Sequence, residues 1–69
     1  MLAKYLDIIE ESGLDFYSIT EDEIIYVATE DIDGGQVIIA KFNVDEELVN
    51  IYADLSLNSL DEFRNEYIL

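Results

Sequence analysis

Carboxylates are the side chains most able to do chemistry in this 69-residue sequence. Asp and Glu number 17 against 3 Lys and Arg, which gives a formal net charge of −14, and the chain has no His and no Cys. Clustered carboxylates can perform acid–base catalysis, hold cations or bind basic partners. The lack of Cys and His excludes disulfides, thiolate nucleophiles and the common zinc sites.

Neither a catalytic motif nor a dedicated metal site accompanies these carboxylates. The chain has no glycine-rich phosphate loop, and no Ser has the sequence context of a nucleophile. The segment 31–34 resembles part of an EF-hand loop, but placing Gly34 at loop position 6 puts Ala40 where the bidentate Glu is required. We therefore predict a protein that is not an enzyme and that needs no cofactor or metal.

The charge restricts the class of partner. Hydrophobic residues make up 51% of the chain, which includes five Tyr and three Phe, so the sequence can fold despite its acidity. Direct contact with nucleic acid or an anionic membrane is disfavoured, and basic partners are favoured. The first residues lack the pattern of a signal peptide, and no apolar run approaches the ~20 residues of a membrane span, so we expect a cytoplasmic protein.

Two helices are predicted, one near each end of the chain. Residues 2–12 place apolar side chains on one helical face, followed by Gly13 where a left-handed C-cap is expected. The segment Ser59-Leu60-Asp61-Glu62 is a capping box that begins the second helix.

Four strands are predicted between the helices, over residues 14–20, 24–30, 36–44 and 48–57. The Asp33-Gly34-Gly35 turn between two apolar runs is a strong hairpin signal, because its central residues require positive φ. The expected fold is α+β with the order α-β-β-β-β-α. It is a single domain over 1–69, in which a four-stranded antiparallel meander carries the N- and C-terminal helices on one face.

Acidic residues concentrate in the turns of this meander. Successive turns alternate between the two ends of the sheet, so two acidic turns should share one end, formed by Glu21, Asp22, Glu23, Asp45, Glu46 and Glu47. The other end should carry Glu30, Asp31 and Asp33. Such charges are common in solvated turns, where they also oppose edge aggregation. However, the net charge exceeds the ~2–8 that suffices to keep a small domain in solution, so we predict that these nine residues bind a partner.

An apolar sheet face offers a second candidate surface. If both helices cover one face, the opposite face exposes Val37, Ile39, Tyr52 and Tyr26 as a homodimer or partner-binding face. The other interpretation is that the faces are assigned the wrong way round, or that a helix covers more of the sheet.

In size, acidity and α+β architecture, the whole chain resembles small phage-encoded DNA mimics, namely uracil-DNA glycosylase inhibitor and several anti-CRISPR proteins. This resemblance implies a stoichiometric inhibitor that occupies a basic DNA-binding groove. A second resemblance, over Tyr5 to Leu57, is to YbjN-type proteins related to secretion chaperones. It includes a helix ending near Glu11-Ser12-Gly13-Leu14 and an Ile51-Tyr52-Ala53 segment before a closing helix.

Two functional hypotheses follow. In the first, the acidic surface mimics nucleic acid and blocks the basic DNA- or RNA-binding site of another protein. In the second, the chain is a small homodimeric chaperone-like or scaffold module that binds protein through its exposed sheet face.

Overall fold

A computed structural model describes residues 1–30 and 35–68. The element bounds in chain order are α1 Leu2–Glu11, β1 Phe16–Glu21, β2 Ile24–Glu30, β3 Val37–Phe42, β4 Leu48–Asp54 and α2 Leu60–Tyr67. The strands form one antiparallel sheet in the order β1-β2-β3-β4. The predicted α-β-β-β-β-α meander is therefore confirmed, with element ends displaced by a few residues. Neither helix in these ranges has the length and apolar character needed to cross a membrane.

The first helix ends as its sequence predicts. Gly13 has φ +73°, a conformation that costs little only for glycine. Its N–H donates to the carbonyl of Glu10 at 3.1 Å, and the N–H of Leu14 donates to the carbonyl of Ile9 at 3.2 Å. These two bonds form a Schellman motif, and Leu14 packs into the same cluster as Ile9.

The second helix begins with the predicted capping box. The Ser59 hydroxyl oxygen accepts a hydrogen bond from the Glu62 N–H at 3.3 Å. The Glu62 carboxylate in turn accepts one from the N–H of Asn58 at 2.8 Å, one residue before the N-cap. The Glu30 carboxylate adds negative charge at this positive helix end, where it accepts from the N–H of Leu60 at 3.4 Å.

The two helices lie on opposite faces of the sheet, and the prediction that both pack on one face is wrong. Side chains of α1 pack on one cluster, which contains Val27 and Ala40. Side chains of α2 pack on a second cluster, which contains Ala28 and Ile39. Because adjacent strand residues point to opposite faces, these clusters form two separate cores with the sheet between them.

The fourth strand is the least covered element of the sheet. Every residue from Leu48 to Ala53 is exposed, and Val49 retains 58% and Ile51 48% of its accessible surface. Within residues 1–30 and 35–68, β4 pairs with β3 alone, with an irregularity in the register between Lys41 and Phe42. The sheet therefore presents an uncharged, partly apolar edge.

Candidate partner-binding site

The β1–β2 and β3–β4 turns lie at the same end of the sheet, as predicted. The start of β2 pairs with the end of β3, with Ile25 opposite Phe42, so both turns extend from this end. Strands in a sheet are ~4.8 Å apart, which places the centres of the two turns on the order of 10 Å from each other. We call this end, formed by Glu21, Asp22, Glu23, Asp45, Glu46 and Glu47, the acidic end; all six residues are exposed.

The β1–β2 turn holds Glu23 in an unfavourable backbone conformation. Glu21 pairs with Ile24, which leaves a two-residue turn of Asp22 and Glu23, with φ values of +52° and +66°. A two-residue hairpin turn of this kind requires positive φ at both positions and favours Asn-Gly or Asp-Gly, so Asp22 suits its position and Glu23 does not. A Glu there costs about 1 kcal/mol, because its Cβ approaches the neighbouring carbonyl oxygen.

The β3–β4 turn is fixed by the side chain of Asn43. Its Oδ1 accepts hydrogen bonds from the N–H of Asp45 and the N–H of Glu47, each at 3.0 Å. Two backbone bonds close the turn, from the Asn43 N–H to the Glu47 carbonyl and from the Glu46 N–H to the Asn43 carbonyl. Glu46 has φ +63°, again a position suited to glycine.

The opposite end of the sheet does not form a comparable array among the described residues. Glu30 is half-buried, and its carboxylate accepts from the α2 backbone, so it stabilises the fold rather than extending freely into solvent. Asp31 and Asp33 lie outside the described residues. In residues 1–30 and 35–68, no group of three or more carboxylates is placed to hold a metal ion.

The sheet face predicted for dimerisation is largely covered. Val37 is fully buried and Ile39 retains 2% of its accessible surface, because both belong to the core under α2. Their assignment as exposed is therefore wrong. Tyr26 is half-buried beside this core, and Tyr52 retains 37% of its surface at the margin.

A pocket on the α2 side adjoins the acidic end and was not anticipated from the sequence. Its volume is about 310 Å³, and we call it the tyrosine pocket. It is lined by Ile19, Glu21, Asp22, Tyr26, Ile39, Lys41, Tyr52, Asp54, Phe63 and Tyr67. Glu21 and Asp22 belong to both the acidic end and this pocket. The period-2 pattern of each strand predicts which of its residues share a face of the sheet. The register between strands, which that pattern does not predict, brings Tyr26, Lys41 and Tyr52 together.

Comparison with protein-family models, with curated proteins and with solved structures gave no match to this chain.

Proposed function

We propose that this protein is a non-enzymatic inhibitor whose acidic end binds and blocks the basic nucleic-acid-binding site of another protein. The observation that carries the proposal is the backbone of the two turns. Among the described residues, every non-glycine residue with positive φ is acidic and lies in one of these turns: Asp22, Glu23 and Glu46. Asp22 suits the first position of such a turn, but selection for stability alone would favour glycine or asparagine in place of Glu23 and Glu46, so a requirement for carboxylates accounts for their cost.

The spacing of the charges supports the same proposal. The two turns are two strand spacings apart, on the order of 10 Å, and each carries three consecutive acidic residues. Six carboxylates therefore share one end of the sheet without a basic residue among them, a concentration of negative charge that a nucleic-acid strand also presents to its partners. The turns are fixed by short backbone loops, so the array loses little conformational entropy when it binds.

A charge-reversal pair tests whether the acidic end is the contact. The first variant reverses Asp45, Glu46 and Glu47 to Lys, and the matched control reverses Asp7, Glu10 and Glu11 to Lys. Both change the net charge equally at exposed positions, but the control alters α1 instead of the acidic end. The immobilised proteins are incubated with a lysate fraction enriched in DNA-binding proteins, at low and at physiological salt, and each captured protein is assayed for DNA binding.

We expect wild type and the control to retain a DNA-binding protein, to displace its DNA, and to retain less of it as salt rises. The Asp45, Glu46 and Glu47 variant should lose this activity. Equal capture by both variants, or a captured partner whose DNA binding is unaffected, would contradict the proposal.

The exposed β4 edge favours a second candidate, a homodimeric scaffold or chaperone-like module. The run from Leu48 to Ala53 carries no charge, so two copies could pair there despite their net charge. Sedimentation equilibrium at micromolar concentration tests this candidate. A dimer that dissociates when Ile51 is replaced by Lys would support it, and a strictly monomeric wild-type protein would remove it.

A further inference from the structure

The tyrosine pocket already binds one cation, the ammonium group of Lys41. The Nζ atom lies 5.4 Å from the ring centroid of Tyr26 and 5.3 Å from that of Tyr52. Both distances are within the ~6 Å range of cation–π attraction. Tyr26 is the direct cross-strand partner of Lys41, and Tyr52 pairs with Ile39, two residues away on the same face.

Two further aromatic rings complete the wall on the helix side. Phe63 and Tyr67, one helical turn apart on α2, pack with their centroids 4.8 Å apart. Tyr67 is 46% exposed, so its ring borders the opening of the pocket. The pocket therefore combines rings from β2, β4 and α2, which is more aromatic surface than one lysine requires.

The electrostatic surroundings of the pocket favour positive charge. Glu21, Asp22 and Asp54 line it with three carboxylates against one lysine. Tyr67 is also the last residue of α2, whose C-terminal carbonyls carry partial negative charge. Burial raises the pKa of Tyr67, and the negative charges of Glu66 and Asp54 raise it further, so these surroundings disfavour additional negative charge.

We propose that the tyrosine pocket is a binding site for the guanidinium group of an arginine side chain from a protein partner, and that Lys41 is an internal occupant displaced by it. Resting on the proposed function, this inference identifies where a basic partner is anchored beside the acidic end. Arginine suits the pocket because its planar group stacks on aromatic rings while its N–H donors reach carboxylates. Displacement moves Lys41 only toward solvent, since its side chain is long and flexible.

The effect of replacing Lys41 distinguishes a guanidinium ligand from an anionic ligand. An anionic ligand would use Lys41 as its main contact, so replacing Lys41 by Met would abolish binding. A guanidinium competes with Lys41 for the same rings, so the same replacement should strengthen binding. The opposite directions make Lys41→Met the decisive variant.

The probe is N-acetyl-arginine amide, titrated into the ¹⁵N-labelled 69-residue protein and followed by NMR shifts of residues lining the pocket. N-acetyl-citrulline amide, which has nearly the same shape without the charge, is the matched ligand. Wild type should give saturable shifts with the arginine probe alone, and Lys41→Met should bind it several-fold more tightly. Tyr52→Leu should weaken binding about 2–30-fold, the equivalent of one cation–π contact, whereas Tyr52→Phe should retain it.

Equal binding of the citrulline probe, loss of binding in Lys41→Met, or absence of saturable shifts at the pocket would each overturn the inference. The assay contains no partner, so it is independent of the proposed inhibition. If the arginine probe binds but reversal of Asp45, Glu46 and Glu47 leaves partner capture intact, the pocket stands and the proposed function fails. If capture depends on the acidic end but the probe does not bind, the proposed function stands and the arginine site fails.

Discussion

Single residues at the acidic end show a conflict between backbone geometry and charge. Glu23 is in the left-handed region at φ +66°, a conformation that glycine adopts without steric strain. Asp22 and Glu46 are held in the same region. Neighbouring carboxylates in these turns also repel one another, so each turn carries two separable costs, one steric and one electrostatic.

Replacing Glu23 by Gly should stabilise the fold, because it removes the steric cost of about 1 kcal/mol together with one charge. Glu23→Gln is the matched control, since it removes the same charge and retains a Cβ in the left-handed conformation. Urea unfolding should give a clearly larger free energy of unfolding for Glu23→Gly than for Glu23→Gln. Equal values would show that the turn is not sterically strained.

At the scale of elements, α1 is fixed to its sheet face by an aromatic contact. The ring centroids of Tyr5 and Phe42 are 5.5 Å apart, and both side chains pack in the core on that face. Burial raises the pKa of Tyr5 above its usual value of 10.0, an effect that a hydrogen bond with Thr29 partly offsets. The folded state therefore favours the neutral phenol.

This raised pKa predicts a loss of stability at alkaline pH. The stabilisation from neutral Tyr5 is fully present below the pKa of the unfolded chain, near 10.0, and disappears as pH rises through the higher folded value. Tyr5→Phe cannot ionise and should lose less stability between pH 9 and pH 11. Thermal unfolding across this range measures the difference. Parallel curves for the two proteins would contradict the assignment.

The elements themselves follow closely from the sequence, but their layering does not. β2 has the predicted bounds of 24–30, and the capping box at Ser59 begins α2 as expected. The unbroken apolar runs in β2 and β3 are typical of strands covered on both faces. This pattern favours one helix on each face of the sheet over two helices on the same face. Helix amphipathicity shows which side of a helix is buried but not which face of the sheet receives it.

The candidate site, like the fold, could be predicted from the sequence only in part. The shared end of the two acidic turns follows from meander topology, so sequence reasoning found it. The tyrosine pocket depends on the pairing of Tyr26 with Lys41 across two strands and on the position of Tyr67 above them. Such contacts are set by register and by helix placement, neither of which the hydrophobic pattern specifies.

At the scale of the whole molecule, the net charge of −14 acts on a chain of 69 residues with two small cores. Repulsion among surface carboxylates opposes the compact state, and added salt screens it over a length that falls from ~30 Å at 0.01 M to ~8 Å at 0.15 M. We therefore expect the free energy of unfolding to rise with NaCl over this range.

Urea unfolding at several NaCl concentrations measures this dependence. The variant with Asp7, Glu10 and Glu11 replaced by Lys has a less negative net charge and should show a smaller increase. If the wild-type protein were equally stable in 0.01 M and 0.15 M NaCl, long-range repulsion would be insignificant in this fold.

The open β4 edge has a consequence for handling the protein in solution. Among the described residues no strand lies beyond β4, and its uncharged side chains do nothing to prevent an approaching strand, although the N–H of Ile51 donates to Asn50 Oδ1 at 2.9 Å. The negative charge on the rest of the surface opposes contact between molecules, and protonation neutralises the net charge near the isoelectric point of about 4.1. Acidification toward the isoelectric point should therefore make a clear solution turbid, because edge strands of different molecules pair, whereas the solution should stay clear at neutral pH.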